Sequence, residues 1–323
     1  MEALICFVIA MMTFLLLFDQ YCHEASLERT QVRSNGADEE SAPTPKTSRY
    51  YSTSLFAILG LSREEVQNFA AFRDRFRSFA EVSTAMLRAG LPDVHVIIGI
   101  DFSASNEWQG RKCFRGETLH AIRGNSIYNP YQKVLSSLGG VLMPLLHGNP
   151  IPAFGFGDSR TKDTDVFPLI DSGAPCLDFN DLMCAYSHTA QRVQLSGPTS
   201  YAPIIQKAQD IVSSRREFHI LLIVTDGQVG NGDAASRRAI IAASHHPLSI
   251  VIVGVGDGPF LSLEEYDNLL PERLFDNLQL VKHIEATRNC RNPDASLALH
   301  ALMEIPDQYR AIARLELLKG QAA

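Results

Sequence analysis

No Cys-x-x-Cys pair occurs among the six cysteines, which stand at positions 6, 22, 113, 176, 184 and 290. That absence excludes a zinc knuckle and a thioredoxin-type redox motif. Scattered through 323 residues, they read as reduced thiols of a cytosolic protein. No Gly-x-Ser-x-Gly elbow is present, and no Gly-x-Gly-x-x-Gly follows the first candidate strand. Serine-hydrolase chemistry of the α/β type and Rossmann dinucleotide binding therefore lack their motifs. Positive charge is short as well: 29 Lys and Arg stand against 36 Asp and Glu, a net charge of −7. A dedicated nucleic-acid binder needs a basic surface to displace counterions, so no nucleic-acid partner is expected.

One long hydrophobic run exists, Ala3 to Phe18, uncharged and ending at Asp19. It falls between the ~7–15 residues of a signal-peptide core and the ~20 of a membrane span. Glu2 stands where a signal peptide carries basic residues, and His23 spoils the best cleavage site, His23-Glu24-Ala25. A signal-anchor within residues 1–33, a signal peptide and a start-site artefact all fit, the anchor best. Arg29 and Arg33 follow the run, so the remainder is expected on the cytoplasmic side, tethered through residues 3–18.

Residues 34–54 are polar, broken by Pro43 and Pro45, and read as a flexible linker. Residues 55–90 read as a helical lead-in. Ser62 and Glu65 have capping-box spacing, and Phe69, Phe72, Phe76, Phe79, Val82 and Met86 share one helix face. That stripe is expected to pack on the domain that follows, because exposed it would invite aggregation. Gly90 and Pro92 mark the stop.

From residue 91 to 315 short apolar runs alternate with amphipathic segments. The runs Val94–Ile100, Ile151–Gly157, Ile220–Thr225 and Leu248–Val255 read as strands buried on both faces. Helices are expected at Tyr131–Leu146, Phe179–Ala190, Tyr201–Ser214, Ala234–His245 and Asp294–Glu304. Such alternation predicts an α/β fold, a doubly wound, mostly parallel sheet flanked by helices, followed by a tail over 316–323. Ligands of such sheets bind beyond the carboxyl ends of the strands.

Asp101-Phe102-Ser103-Ala104-Ser105 stands at the end of the first strand, and Asp226-Gly227 at the end of Ile220–Thr225. Between them, Ser196-Gly197-Pro198-Thr199-Ser200 presents a further hydroxyl before a helix. Two carboxylates and three hydroxyls at one sheet edge form a hard-oxygen set suited to Mg²⁺ or Mn²⁺. Each piece alone has an ordinary role in a turn or a cap; together they point to one divalent cation.

This set resembles the metal-ion-dependent adhesion site of von Willebrand factor A domains. Gly99-Ile100-Asp101-Phe102, Ser105-Asn106-Glu107-Trp108, Asn129-Pro130-Tyr131, Phe154-Gly155-Phe156-Gly157-Asp158 and Leu195 to Ser200 narrow the likeness to copine A-domains and plant RING domain ligases. Thr225-Asp226-Gly227-Gln228, Val253 to Pro259 and Met303-Glu304-Ile305-Pro306 continue it, so the resemblance runs from about Phe79 to about Leu315. It implies that Ser103, Ser105 and Thr199 ligate the metal through hydroxyls. Asp101 and Asp226 would act mostly through water, and a partner protein's acidic side chain would complete the shell.

Asn106, Glu107 and Trp108 follow this loop and are assigned to the partner-facing surface, Trp108 either packing the loop or taking part in recognition. The expected function is thus a divalent-metal-dependent protein-binding module, not an enzyme. The residues after Leu315 hold no RING, so a link to ubiquitination would be as an accessory or regulator. A Mg²⁺-dependent phosphohydrolase is the remaining alternative and would need further carboxylates, for which Asp158 and Asp257 are candidates; their plainer role is in turns.

Overall fold

Alternation along the central strands decides how the layers assemble. The computed structural model describes residues 76–319 apart from 92, 125–126, 230–232, 269 and 271, all within one compact unit, Gly60–Ala323. The hydrophobic run, the linker, the Ser62 capping box, Phe69, Phe72 and residues 320–323 lie outside the described residues. Among the described residues, no helix is long and apolar enough to cross a membrane.

The described strands are β1 (His95–Asp101), β2 (Ala153–Phe156), β3 (Phe167–Pro168), β4 (His219–Thr225), β5 (Leu248–Gly254) and β6 (Leu278–Lys282). They form a sheet of order β3-β2-β1-β4-β5-β6. Every neighbouring pair is parallel except β2 with the two-residue edge strand β3. The helices are α1 (Phe79–Arg88), α2 (Pro130–Leu146), α3 (Phe179–Ala190), α4 (Ala202–Arg215), α5 (Ala234–Ala243), α6 (Leu261–Asn268), α7 (His283–Thr287), α8 (Pro293–Leu302) and α9 (Ile305–Arg314).

Val96, Ile98 and Ile100 of β1 and Ile220, Leu222 and Val224 of β4 face one core, filled by α1, α2, α3, α8 and α9. Ile97, Leu221 and Ile223 face the other, filled by α4, α5 and α6. Period-two side chains on strands covered from both sides leave no polar face, which is why these runs are continuously apolar. The doubly wound expectation holds, and the described part of the stripe packs as expected: Val82 and Met86 of α1 are buried in the first core, with Phe76 and Phe79 partly buried against it.

Helix starts follow local chemistry. Asn129 caps α2 with its side chain accepting from Gln132 N, and the Gln132 side chain returns to Asn129 N, a full capping box with Pro130 behind it. Asp178, Asp233 and Asn292 cap α3, α5 and α8 in the simpler way. Helix α5 ends at Ala243, two residues before the expected His245, because Ser244 already takes the cap.

The chain leaves β1 for β2 and β3, then returns across β1 to β4, so strand order reverses between β1 and β4. Asp101 ends β1 and Asp226 directly follows β4. The fold thereby sets both carboxylates at the crevice where open parallel sheets take ligands.

Candidate functional site

Asp101 is wholly buried, and each of its oxygens is already held. Oδ1 accepts from the Ser103 N–H at 2.9 Å and Oδ2 from the Thr225 hydroxyl at 2.5 Å. Thr225 Oγ1 in turn accepts from the Gly227 N–H at 3.0 Å and lies 3.0 Å from the Tyr201 hydroxyl. The Ser103 and Ser105 hydroxyls lie 3.0 Å apart in the loop and short 3₁₀ turn that follow β1.

Asp226 faces them from the turn that follows β4. Its Oδ1 accepts from the Gln228 N–H at 3.0 Å, while Oδ2 is buried without a hydrogen-bond partner. The Thr199 hydroxyl is the second buried, unpartnered oxygen here. Gly157, at φ +80° after β2, shows how close the groups lie. A Cβ built there would stand 2.5 Å from Thr199 Oγ1, 3.1 Å from Asp101 Oδ1 and 3.2 Å from Ser103 N. Only a residue without a side chain leaves that space, and its left-handed φ suits glycine for the same reason.

Burial disfavours charge on both carboxylates. Asp101 is raised above the ordinary carboxylate range by burial, against the pull of the Thr225 and Ser103 hydrogen bonds. Asp226 is pushed up to about 8 by burial first and by the Asp101 charge second, with the Ser105 hydroxyl and Gln228 N–H opposing. Among the described residues no three His, Cys, Asp or Glu side chains gather as a metal cluster. The donor set is instead two carboxylates and three hydroxyls, the chemistry of Mg²⁺ or Mn²⁺ sites that keep several waters.

A polar scaffold fixes the Asp101 backbone from below. Its carbonyl accepts from Asn106 Nδ2 at 3.4 Å and lies 2.9 Å from His120 Nε2 and 3.1 Å from the Tyr131 hydroxyl. Burial lowers His120 to about 3, so the ring is neutral. A carbonyl can only accept, so Nε2 carries the hydrogen and Nδ1 accepts from the Tyr186 hydroxyl at 2.9 Å. Phe102, His120, Tyr131 and Tyr186 stack around this network.

The five expected ligand residues therefore come together at one edge. Of the three assigned to the partner surface, Glu107 and Trp108 are exposed, Trp108 by 47%. Asn106 corrects that assignment. It is fully buried, donating to the Ser103 carbonyl at 3.0 Å and accepting from Tyr131 at 2.7 Å, so it shapes the loop from inside. The two extra carboxylates weighed for hydrolysis are occupied in turns. Asp158 Oδ1 accepts from the Thr161 N–H and hydroxyl, and Asp257 accepts from the backbone of Lys112 and Cys113. His120, Tyr186 and Thr225 escaped the sequence reading. Thr225 carried a usable signal, a hydroxyl directly before the strand-end carboxylate, whereas His120 and Tyr186 meet Asp101 only through the tertiary fold.

Comparisons with known proteins bear on this geometry. A family model described as Copine matches residues 118–321. The chain is 43% identical over 270 residues to the E3 ubiquitin-protein ligase RGLG4 of Arabidopsis thaliana, covering 79% of this chain and 67% of that protein. It is 41% identical over 269 residues to Copine family protein 1 of Caenorhabditis elegans, covering 82% of this chain. The chain thus spans 24% of that copine's length. Among solved structures, the SpRpn10 VWA domain is similar at a TM-score of 0.40 and 11% identity, over 71% of this chain and 99% of that one.

Proposed function

The chain belongs to the copine family, and on that premise we propose that the carboxyl edge of its sheet binds proteins through one divalent cation, Mg²⁺ or Mn²⁺. Asp101, Ser103, Ser105, Thr199 and Asp226 would hold the ion, and a partner's acidic side chain would complete its shell. One observation carries the reading: Thr199 Oγ1 and Asp226 Oδ2 are buried without partners beside a second buried carboxylate. Buried polar atoms are nearly always satisfied, so two unpartnered oxygens at this sheet edge support a ligand there.

When bound, the cation supplies a positive centre that attracts an outside carboxylate. The chain's own residues do the rest. Thr225 and the Ser103 N–H orient the Asp101 carboxylate. His120, Tyr131 and Asn106 fix the backbone that carries it. Gly157 keeps the space beside Thr199 open. Binding without turnover fits the engagement of the two nearby candidates for a general base: Asp158 and Asp257 already accept hydrogen bonds within their own loops. We place the module on the cytoplasmic side, tethered through residues 3–18, on the sequence pattern described above.

The test compares partner capture by the full chain in Mg²⁺ and in chelator. Capture is expected to be lost in Asp101→Ala and Asp226→Ala while both still unfold cooperatively. Chelator-sensitive capture that survives in both variants would show the site to be assigned wrongly. A second reading rests on the 43% identity to a ubiquitin ligase: this region selects proteins for ubiquitin transfer as an accessory or regulator. Co-purification of ubiquitin-conjugating activity with the wild type, lost in Asp226→Ala, is its expected result.

A further inference from the structure

The protein as a whole is acidic, with net charge −7, yet the segment beside the site is cationic. Arg111, Lys112 and Arg115 are all exposed, and none of them forms an ion pair among the described residues. Between Ala104 and Leu119 the acidic side chains are Glu107 and Glu117, and Glu117 is paired with Arg123. Asp257 approaches from the β5–α6 loop, its carboxylate accepting from the Lys112 and Cys113 N–H groups at 2.8 and 2.9 Å. Trp108, half-exposed, separates the cations from the site loop.

This segment is a built feature. Gln109 N donates to Ser105 O at 3.1 Å and Leu119 N to Asn106 O at 2.9 Å, so both its ends are tied to the site loop. Asp257 N donates to Gln109 O at 2.9 Å, and Gly116 N to Gly110 O at 2.9 Å. Gln109, Phe114 and Leu119 are buried beneath it. A clamp of this kind fixes the backbone that carries the cations, so only their side chains need ordering when a partner arrives. Arg111 stands six positions after Ser105, which limits the gap between their Cα atoms to ~20 Å. An extended peptide advances ~3.3 Å per residue and crosses that gap in about six residues.

We propose that the occupant of this edge is an extended acidic segment of a partner protein. One carboxylate enters the Asp101–Asp226 site, an apolar side chain lies on Trp108, and further carboxylates within about six residues meet Arg111, Lys112 and Arg115. The proposal deepens the cation-dependent reading and rests on it. Single charges on a partner would satisfy the ion alone; a second acidic group is what the three surface cations select.

The experiment uses the full chain and three labelled peptides, read by fluorescence anisotropy in Mg²⁺ and in chelator. The first carries one Asp, then a Leu, then Glu at the three positions four to six residues beyond the Asp. In the second those Glu are Gln, and in the third the Asp is also Asn. The first peptide is expected to bind more tightly than the second by about 3- to 100-fold, the range that three exposed ion pairs give, with the advantage shrinking in salt. The combined variant Arg111→Gln, Lys112→Gln, Arg115→Gln is expected to erase that advantage and keep the response to Mg²⁺. Equal binding of the first two peptides by the wild type, or an advantage that survives in the triple variant, overturns the proposal. Binding that needs the three cations but ignores both Mg²⁺ and the Asp overturns the cation reading and supports the basic surface alone. Capture of phosphatidylserine vesicles through the three cations, with no discrimination among peptides, overturns the proposal in favour of a membrane surface.

Discussion

Replacing Gly157 with alanine tests whether the site's free space is a working part of it. At φ +80° an alanine pays the left-handed penalty of ~1–2 kcal/mol. Its Cβ would also stand 2.5 Å from Thr199 Oγ1 and 3.1 Å from Asp101 Oδ1, so one of these oxygens must move. Overpacking of that kind adds ~1–3 kcal/mol. Gly173 provides the matched control, with φ +76° and nothing within 4 Å of a built Cβ. Gly173→Ala is expected to lose only the backbone penalty, lowering Tm by ~2–4 °C per kcal/mol in a domain of this size. Gly157→Ala is expected to lose more and, on the proposed reading, to weaken Mg²⁺ binding at least tenfold, since a displaced Thr199 or Asp101 would be a misplaced ligand. The assay pairs thermal unfolding in chelator with calorimetric titration of Mg²⁺. If Gly157→Ala is no less stable than Gly173→Ala and binds Mg²⁺ like the wild type, the crowded geometry around Thr199 plays no part in the site.

Acid should destabilise the fold through two imidazoles remote from the site. Burial lowers His219 and His283 to about 4 from an ordinary 6.5, so between those values the unfolded chain binds protons that the folded one refuses. The contribution of these two groups is therefore complete above about pH 6.5 and falls on acidification towards 4, by at most ~3 kcal/mol for each. Asp226, raised to about 8, takes up its proton in the folded state and works in the opposite direction. Urea unfolding at neutral pH and near pH 5 checks this, with His219→Gln expected to flatten the slope; an unchanged slope counts against it. Met86→Ala addresses the lead-in helix: with Met86 buried in the first core, it should cost about 2–4 kcal/mol in urea unfolding. A loss within experimental error would mean that α1 contributes nothing to the domain.

The central strands and the residues that meet at the candidate site were legible in the sequence for one physical reason. Strands buried on both faces leave continuous apolar runs, as in Ile220–Thr225, and a carboxylate directly after such a run sits at the ligand-binding edge. Helix α3 matches its expected span because Asp178 caps it and its apolar face is regular. Strand β3 was not legible: its two residues, Phe167 and Pro168, carry no periodicity. Strand β6, Leu278–Lys282, is too short and too mixed to stand out from the loops around it. The expected helix Asp294–Glu304 proves to be α8, ending at Leu302, with α9 starting afresh at Ile305 beside Pro306. At the candidate site, the oxygen-bearing side chains were legible locally and the residues that support them were not. Asn106 looked like a surface residue because it precedes Glu107 and Trp108, and only its contacts with Tyr131 and Ser103 reveal it as internal.

The most direct test of the central claim is calorimetric titration of Mg²⁺ and Mn²⁺ into the full chain beside Asp226→Asn, with the unfolding midpoint of each measured in chelator. The wild type is expected to bind one cation saturably and the variant none. In chelator the variant should be at least as stable as the wild type, because a neutral amide then stands in place of a buried carboxylate, raised to about 8, that faces Asp101. Equal cation binding by both proteins, or by neither, would contradict the assignment of this edge as a divalent-cation site.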